Sequence, residues 1–290
     1  RVTQNLHVES GGSTVRVTGS GGLRDLRLVG TALPRPVTLS QARWRNDLAV
    51  LLEGGKPRRI ELAPREKDAF ELVLPGMRCT VGGTIDQIDL AAGSCTVESL
   101  RTDLETDFDR LPRSTLQAPL NAMLPAATKE LSLGGTTTAT LTASGNWPGR
   151  LSGRLDANLS PMTLRLLGAD GQILAHKDET VPLTANVPFS LESGPDGWTA
   201  LVSELEARLA DLAATGRFSI DDRFALSGPD GGARFALTAG KLDSLWQMLP
   251  PAALLQPAGG AVDRAAERMR FAPADQRVHG RISGEISLES

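Results

Sequence analysis

The residue types that most often do chemistry are sparse in this chain, and their spacing is poor. There are three histidines, His7, His176 and His279, far apart in sequence and without the short spacings of metal ligands. They read as surface or loop residues. No Gly-x-Ser-x-Gly elbow occurs, so a serine hydrolase has no local support. Gly19-Ser20-Gly21-Gly22 is glycine-rich but lacks the lysine and following helix of a phosphate loop. We read it as a hairpin turn. Asp103, Glu105, Asp107 and Asp109 alternate, which puts all four on one face if the run is a strand. Such a face could bind Ca²⁺ or meet a basic partner. A solvated outer face is the favoured reading. A glycosidase would need two carboxylates across a sugar cleft, normally lined by aromatics, and aromatic residues make up only 4% here. No catalytic, cofactor-binding or metal-binding residue emerges, and the expectation is a protein that is not an enzyme.

The two cysteines, Cys79 and Cys95, sit in similar settings, Arg78-Cys79-Thr80-Val81 and Ser94-Cys95-Thr96-Val97. That symmetry suits neighbouring strands whose cysteines meet, and we expect a disulfide in preference to two buried thiols. Such a bridge would stabilise by on the order of 3 kcal/mol. It would also imply an oxidising compartment such as the periplasm. Two cysteines without a nearby histidine cannot complete a zinc shell.

The elements that must position these residues are strands. Val15-Arg16-Val17-Thr18, Leu48 to Leu52, Arg59-Ile60-Glu61-Leu62 and Phe70 to Leu74 alternate and stop at Gly or Pro. Thr136 to Ser144 is rich in β-branched residues. Gly145-Asn146-Trp147-Pro148-Gly149 marks a tight corner, and Pro182 and Pro188 mark edges or bulges. Residues 97–111 fit a helix or a strand. Residues 200–214 fit both and lean to strand, because strands flank them. Short helices are expected near 114–124 and 241–249, ended by Pro125 and Pro250. The fold class is therefore all-β, mainly antiparallel: a long curved or twisted sheet or groove with two short helices. Two β segments, 1–112 and 113–290, would share one continuous sheet.

Composition narrows the function classes. The formal net charge is -3 over 290 residues, and Lys and Arg form no basic stripe, which argues against nucleic acid as a partner. Tyr is absent, so aliphatic residues must supply most of the burial. That fits a thin sheet with an aliphatic face better than a sandwich filled by aromatics. A compositional bias toward Ala, Gly, Arg and Leu would give the same figures. Apolar runs are too short to span a bilayer as a helix. The chain opens Arg1-Val2-Thr3-Gln4 without an initiator Met, so we expect a processed chain or a section of a longer one.

One signature occurs twice. Leu120-Asn-Ala-Met123-Leu124-Pro125-Ala-Ala127 precedes Gly149-Arg150-Leu151-Ser152-Gly153. Leu245-Trp246-Gln-Met248-Leu249-Pro250-Pro-Ala252 precedes Gly280-Arg281-Ile282-Ser283-Gly284. The first parts are offset by 125 positions and the second by 131. This order suggests a duplicated unit. These runs, with Leu141-Thr-Ala-Ser-Gly145-Asn-Trp147-Pro-Gly149-Arg-Leu-Ser-Gly153, resemble repeats of the AsmA/TamB/YdbH superfamily. The resemblance implies a periplasmic envelope protein with an aliphatic β-groove. Such a protein carries phospholipid acyl chains or supports outer-membrane biogenesis, and an inner-membrane anchor in the full-length protein would make it membrane-associated. The alternative is a structural component of an envelope assembly, such as type II secretion protein N, with protein partners and no lipid.

Overall fold

The computed structural model describes residues 2–28, 37–62, 70–111, 121, 128–194, 197–222, 226–227, 232–241 and 281–289. The strands follow one another as a meander. The first seven are β1 (Val2–Gly11), β2 (Thr14–Leu28), β3 (Val37–Glu53), β4 (Lys56–Leu62), β5 (Phe70–Leu74), β6 (Met77–Asp89) and β7 (Ser94–Asp107). Then come β8 (Thr128–Trp147), β9 (Arg150–Asn158), β10 (Met162–Gly168), β11 (Ile173–Lys177) and β12 (Leu183–Gly194). The last are β13 (Gly197–Leu209), β14 (Leu212–Asp221), β15 (Leu226–Ser227), β16 (Gly232–Lys241) and β17 (Arg281–Glu289). Every pairing is antiparallel, and the strands hydrogen-bond into one sheet. Among the described residues no helix is long and apolar enough to cross a membrane.

Several strands share one place in the sheet. β4 and β5 together fill the space between β3 and β6. β8 is long enough to hold two partners in line: β9 along Thr138–Gly145 and β10 along its first residues. β11 then pairs with β10, and β12 with β9. The sheet therefore breaks in two neighbouring strands at once, at Leu159–Pro161 and at Asp178–Pro182. β7 pairs with β8, so strands on both sides of residue 112 belong to the same sheet.

Both ambiguous runs are strand. Residues 97–107 lie in β7, and the chain turns at 108–110; residues 200–209 lie in β13, and 212–214 open β14. Alternation decides these runs because each strand has a partner on both sides. The corner at Pro148-Gly149 joins β8 to β9, and its Trp147–Pro148 bond is cis. Pro188 sits where the β12–β13 register slips between Asn186 and Phe189, so its missing N–H leaves no gap in the ladder. The expected helices near 114–124 and 241–249 fall almost wholly outside the described residues; Asn121 is helical and Lys241 ends β16.

Two expectations are corrected. Gly19-Ser20-Gly21-Gly22 is not a turn; it lies inside β2, in unbroken register with β1 and β3. Gly19 and Gly21 are there for close approach. A Cβ on Gly21 would lie 2.2 Å from the Trp44 ring, which covers that position from β3. The turn between β1 and β2 falls earlier, at Gly12-Ser13. The second correction concerns the cysteines, which are both free. Cys79 pairs with Leu104 on β7, nine positions beyond Cys95, and Cys95 pairs with Trp147 on β8. Nine strand residues separate the two along the ladder by about 30 Å. A disulfide needs Cα atoms within about 7 Å. Similar local sequence marked two neighbouring strands correctly, but antiparallel register sends the matching positions to opposite ends.

Candidate functional site

The site that these strands build is a face, and it starts from alternation. In β9 the residues Leu151, Gly153, Leu155 and Ala157 are half-buried, while Arg150, Ser152, Arg154, Asp156 and Asn158 are exposed. Register carries the apolar set into both neighbours. Gly153 pairs with Ala143 and Phe189, Leu155 with Leu141 and Val187, and Ala157 with Ala139 and Ala185. The pairing then runs on in both directions without changing face. Ala143 meets Leu100, Leu100 meets Gly83, and Gly83 meets Leu62. Leu62 leads to Leu48, Val17 and Val8. On the other side Phe189 meets Val202, and Val202 meets Phe218.

One row of small and aliphatic residues with two phenylalanines thus crosses the sheet from β1 to β14. At about 4.8 Å per strand its length is roughly 50 Å. A parallel row on the same face runs Val15, Val50, Ile60, Ile85, Val97, Gly145, Leu151, Leu191, Ala200 and Ile220. On the far side of the first row, Ala139, Ala157, Ala185, Ala207 and Ala214 pair in succession across β8, β9, β12, β13 and β14. Leu183, Leu209 and Leu212 border that alanine line.

No second layer covers this face among the described residues. Among the described residues no side chain is fully buried, and the buried apolar ones are Ala42, Val97, Met162, Val202 and Leu212. Val8 remains 55% exposed. The accessible surface of 18408 Å² compares with roughly 12,000 Å² for a compact monomer of this mass. An ordinary soluble monomer exposes apolar patches of a few hundred Å² at most, and an uncovered face of this length exceeds that.

The opposite face is charged and internally paired. Arg16 donates to both carboxylate oxygens of Asp47, at 2.9 and 2.5 Å. Arg59 lies 3.1 Å from Glu61 and 3.2 Å from Glu98, and Arg78 donates to Glu71 at 2.8 Å. Arg101 and the hydroxyl of Thr140 both donate to Asp103, which holds that carboxyl below the usual carboxylate range. Arg154 and Asn186 share Asp156. Such surface pairs each add little stability, but they keep this face wet.

The expected carboxylate run divides. Asp103, Glu105 and Asp107 share the charged face of β7, while Asp109 lies in the following turn and accepts the Gly135 N–H at 3.1 Å. Among the described residues no three His, Cys, Asp or Glu side chains are grouped to hold a metal. His7 is exposed and 3.1 Å from Glu9; His176 is exposed on β11, opposite Arg165; His279 lies outside the described residues. Burial raises the Cys79 thiol pKa, on the apolar face between Leu72 and Leu104.

Sequence reasoning missed Lys177. It is 3% exposed, at the break between β11 and β12. Its ammonium donates to the carbonyls of Ser160 and Met162, both at 2.7 Å, and of Asp178 at 3.0 Å. Three donors meet three acceptors, so the group is fully satisfied. Burial pushes its pKa down, and the Asp178 carboxylate opposes that. A lone lysine amid polar turn residues gives no signal of this in the sequence.

Comparison with family models, with curated proteins and with solved structures returns no match.

Proposed function

We propose that this chain is a non-enzymatic envelope protein that holds phospholipid acyl chains on its aliphatic sheet face. The observation that carries the reading is the in-register apolar face, on which no second layer packs among the described residues. Its chemistry selects the occupant. Protein-binding hot spots favour Trp, Tyr and Arg and under-use Leu and Val. This face is built mainly from Leu, Val, Ile, Ala and Gly, with no Tyr at all. Methylene chains need no hydrogen-bond partners and pack against such a surface wherever they lie. The periplasm and a role in outer-membrane biogenesis come from the resemblance to the AsmA/TamB/YdbH superfamily, and they fit an occupant that must cross water.

The test is uptake of labelled phospholipid from vesicles by wild-type protein and by two variants. Leu155→Asp puts a charge in the middle of the aliphatic face and reduces uptake by about tenfold or more. Arg154→Ser, on the opposite face of the same strand, leaves uptake unchanged. Equal uptake by all three would remove the apolar face from the account. No uptake by wild type would favour a scaffold that binds protein partners.

A further inference from the structure

The charged face holds a hollow that acyl-chain binding does not use. It lies where β1, β2, β3 and β5 run side by side, with a volume of about 710 Å³. Register explains why space is left there. Gly22 on β2 stands between Thr3 on β1 and Arg43 on β3, and Ser20 stands between Asn5 and Arg45. The two central positions therefore carry no side chain and a small hydroxyl. Gly22 is not forced by sterics: a Cβ there would meet the Ala42 carbonyl at 3.4 Å, an ordinary contact.

Around these small residues stand Arg24, Arg43 and Arg45. Among the described lining residues the one carboxylate is Glu71, which Arg78 engages at 2.8 Å and which lies 3.9 Å from Arg45. Three guanidinium groups and one engaged carboxylate thus border the hollow among its described lining residues. Each arginine also interacts within the protein, which restricts its position. Thr3, Asn5, Ser20 and Gln41 add hydroxyl and amide donors to the lining. A planar fork of N–H donors matches phosphate oxygens two at a time, and small polar residues below leave room for them.

We propose that this hollow binds a phosphate-bearing anion, either free in solution or as the headgroup of a lipid. The probes are glycerol 3-phosphate, followed by calorimetry, and vesicles containing phosphatidylglycerol, followed by flotation. Wild-type protein binds glycerol 3-phosphate saturably and does not bind glycerol. The double variant Arg43→Gln/Arg45→Gln binds about tenfold more weakly or worse, as expected for losing charge-assisted hydrogen bonds. Gly22→Val fills the floor at a position that accepts a Cβ, and it also loses binding while its circular dichroism is unchanged. Arg58→Gln, exposed on β4, keeps it. Vesicle binding lost in the same variants assigns the headgroup as the source; glycerol 3-phosphate binding without vesicle binding assigns the free anion. Absence of saturable binding to both probes, or equal binding by wild type and the double variant, overturns the proposal.

Discussion

Lys177 shows how a single side chain can hold a sheet together where its ladder stops. The chain leaves the sheet between β9 and β10 and again between β11 and β12, and the ammonium supplies three donors to carbonyls at these two breaks. Lys177→Met keeps the length of the side chain and leaves those carbonyls short of a partner. It destabilises the fold by about 2 kcal/mol, measured by urea denaturation. A change near zero would mean that water replaces the ammonium freely. Asp103 gives the pH dependence. Its folded pKa is held down, first by the Arg101 hydrogen bond and further by Thr140. Its contribution is present above the ordinary carboxylate pKa and is lost as pH falls through the lowered folded value. Asp103→Asn is thus less stable than wild type at neutral pH, and the two converge in acid. Parallel stability curves would contradict this. The cysteines are a third check at this scale. Peptide mapping without reductant finds both as thiols, and Cys79 alkylates slowly because burial raises its pKa. A bridged peptide containing both would contradict the register of β6 and β7.

Among the elements, strand identity was the most legible feature and strand ends the least. Leu48 to Leu52 and Phe70 to Leu74 alternate between clear breakers, and both fall inside strands. Pro188 was readable because a residue without an N–H is tolerated at only a few places in a sheet. Gly19 to Gly22 was not readable, because glycine marks both turns and close approaches. Only the partner strand tells them apart, and the partner, Trp44, is more than twenty residues away. The aliphatic face was legible in kind, through alternation, but its in-register extent depends on long-range pairing that no local pattern encodes. Two glycines test the close-approach reading. Gly21→Ala meets the Trp44 ring, and Gly153→Ala meets the Thr142 carbonyl at 2.3 Å together with the Phe189 ring. Each costs about 1–3 kcal/mol. Trp44→Leu recovers part of the loss at Gly21, where the closest obstacle is a side chain. Phe189→Leu does not rescue Gly153→Ala, where the obstacle is backbone. Equal rescue at both sites would contradict the geometry.

Across the whole chain, the described strands form one sheet with two unlike faces, and a sheet of that width predicts an extended particle. A compact chain of this length has a radius of gyration of about 19 Å. Small-angle scattering gives a clearly larger value for this protein, in keeping with its large accessible surface. A value near the compact one would require a covering layer over the apolar face. The apolar face decides the function, because the aliphatic rows make sense in water only if something apolar lies on them. Native mass spectrometry with lipid extraction, on protein expressed into a bacterial periplasm, tests it most directly. The expected result is co-purifying phospholipid that is lost in Leu155→Asp and retained in Arg154→Ser. Lipid-free protein that takes up none from vesicles would contradict it.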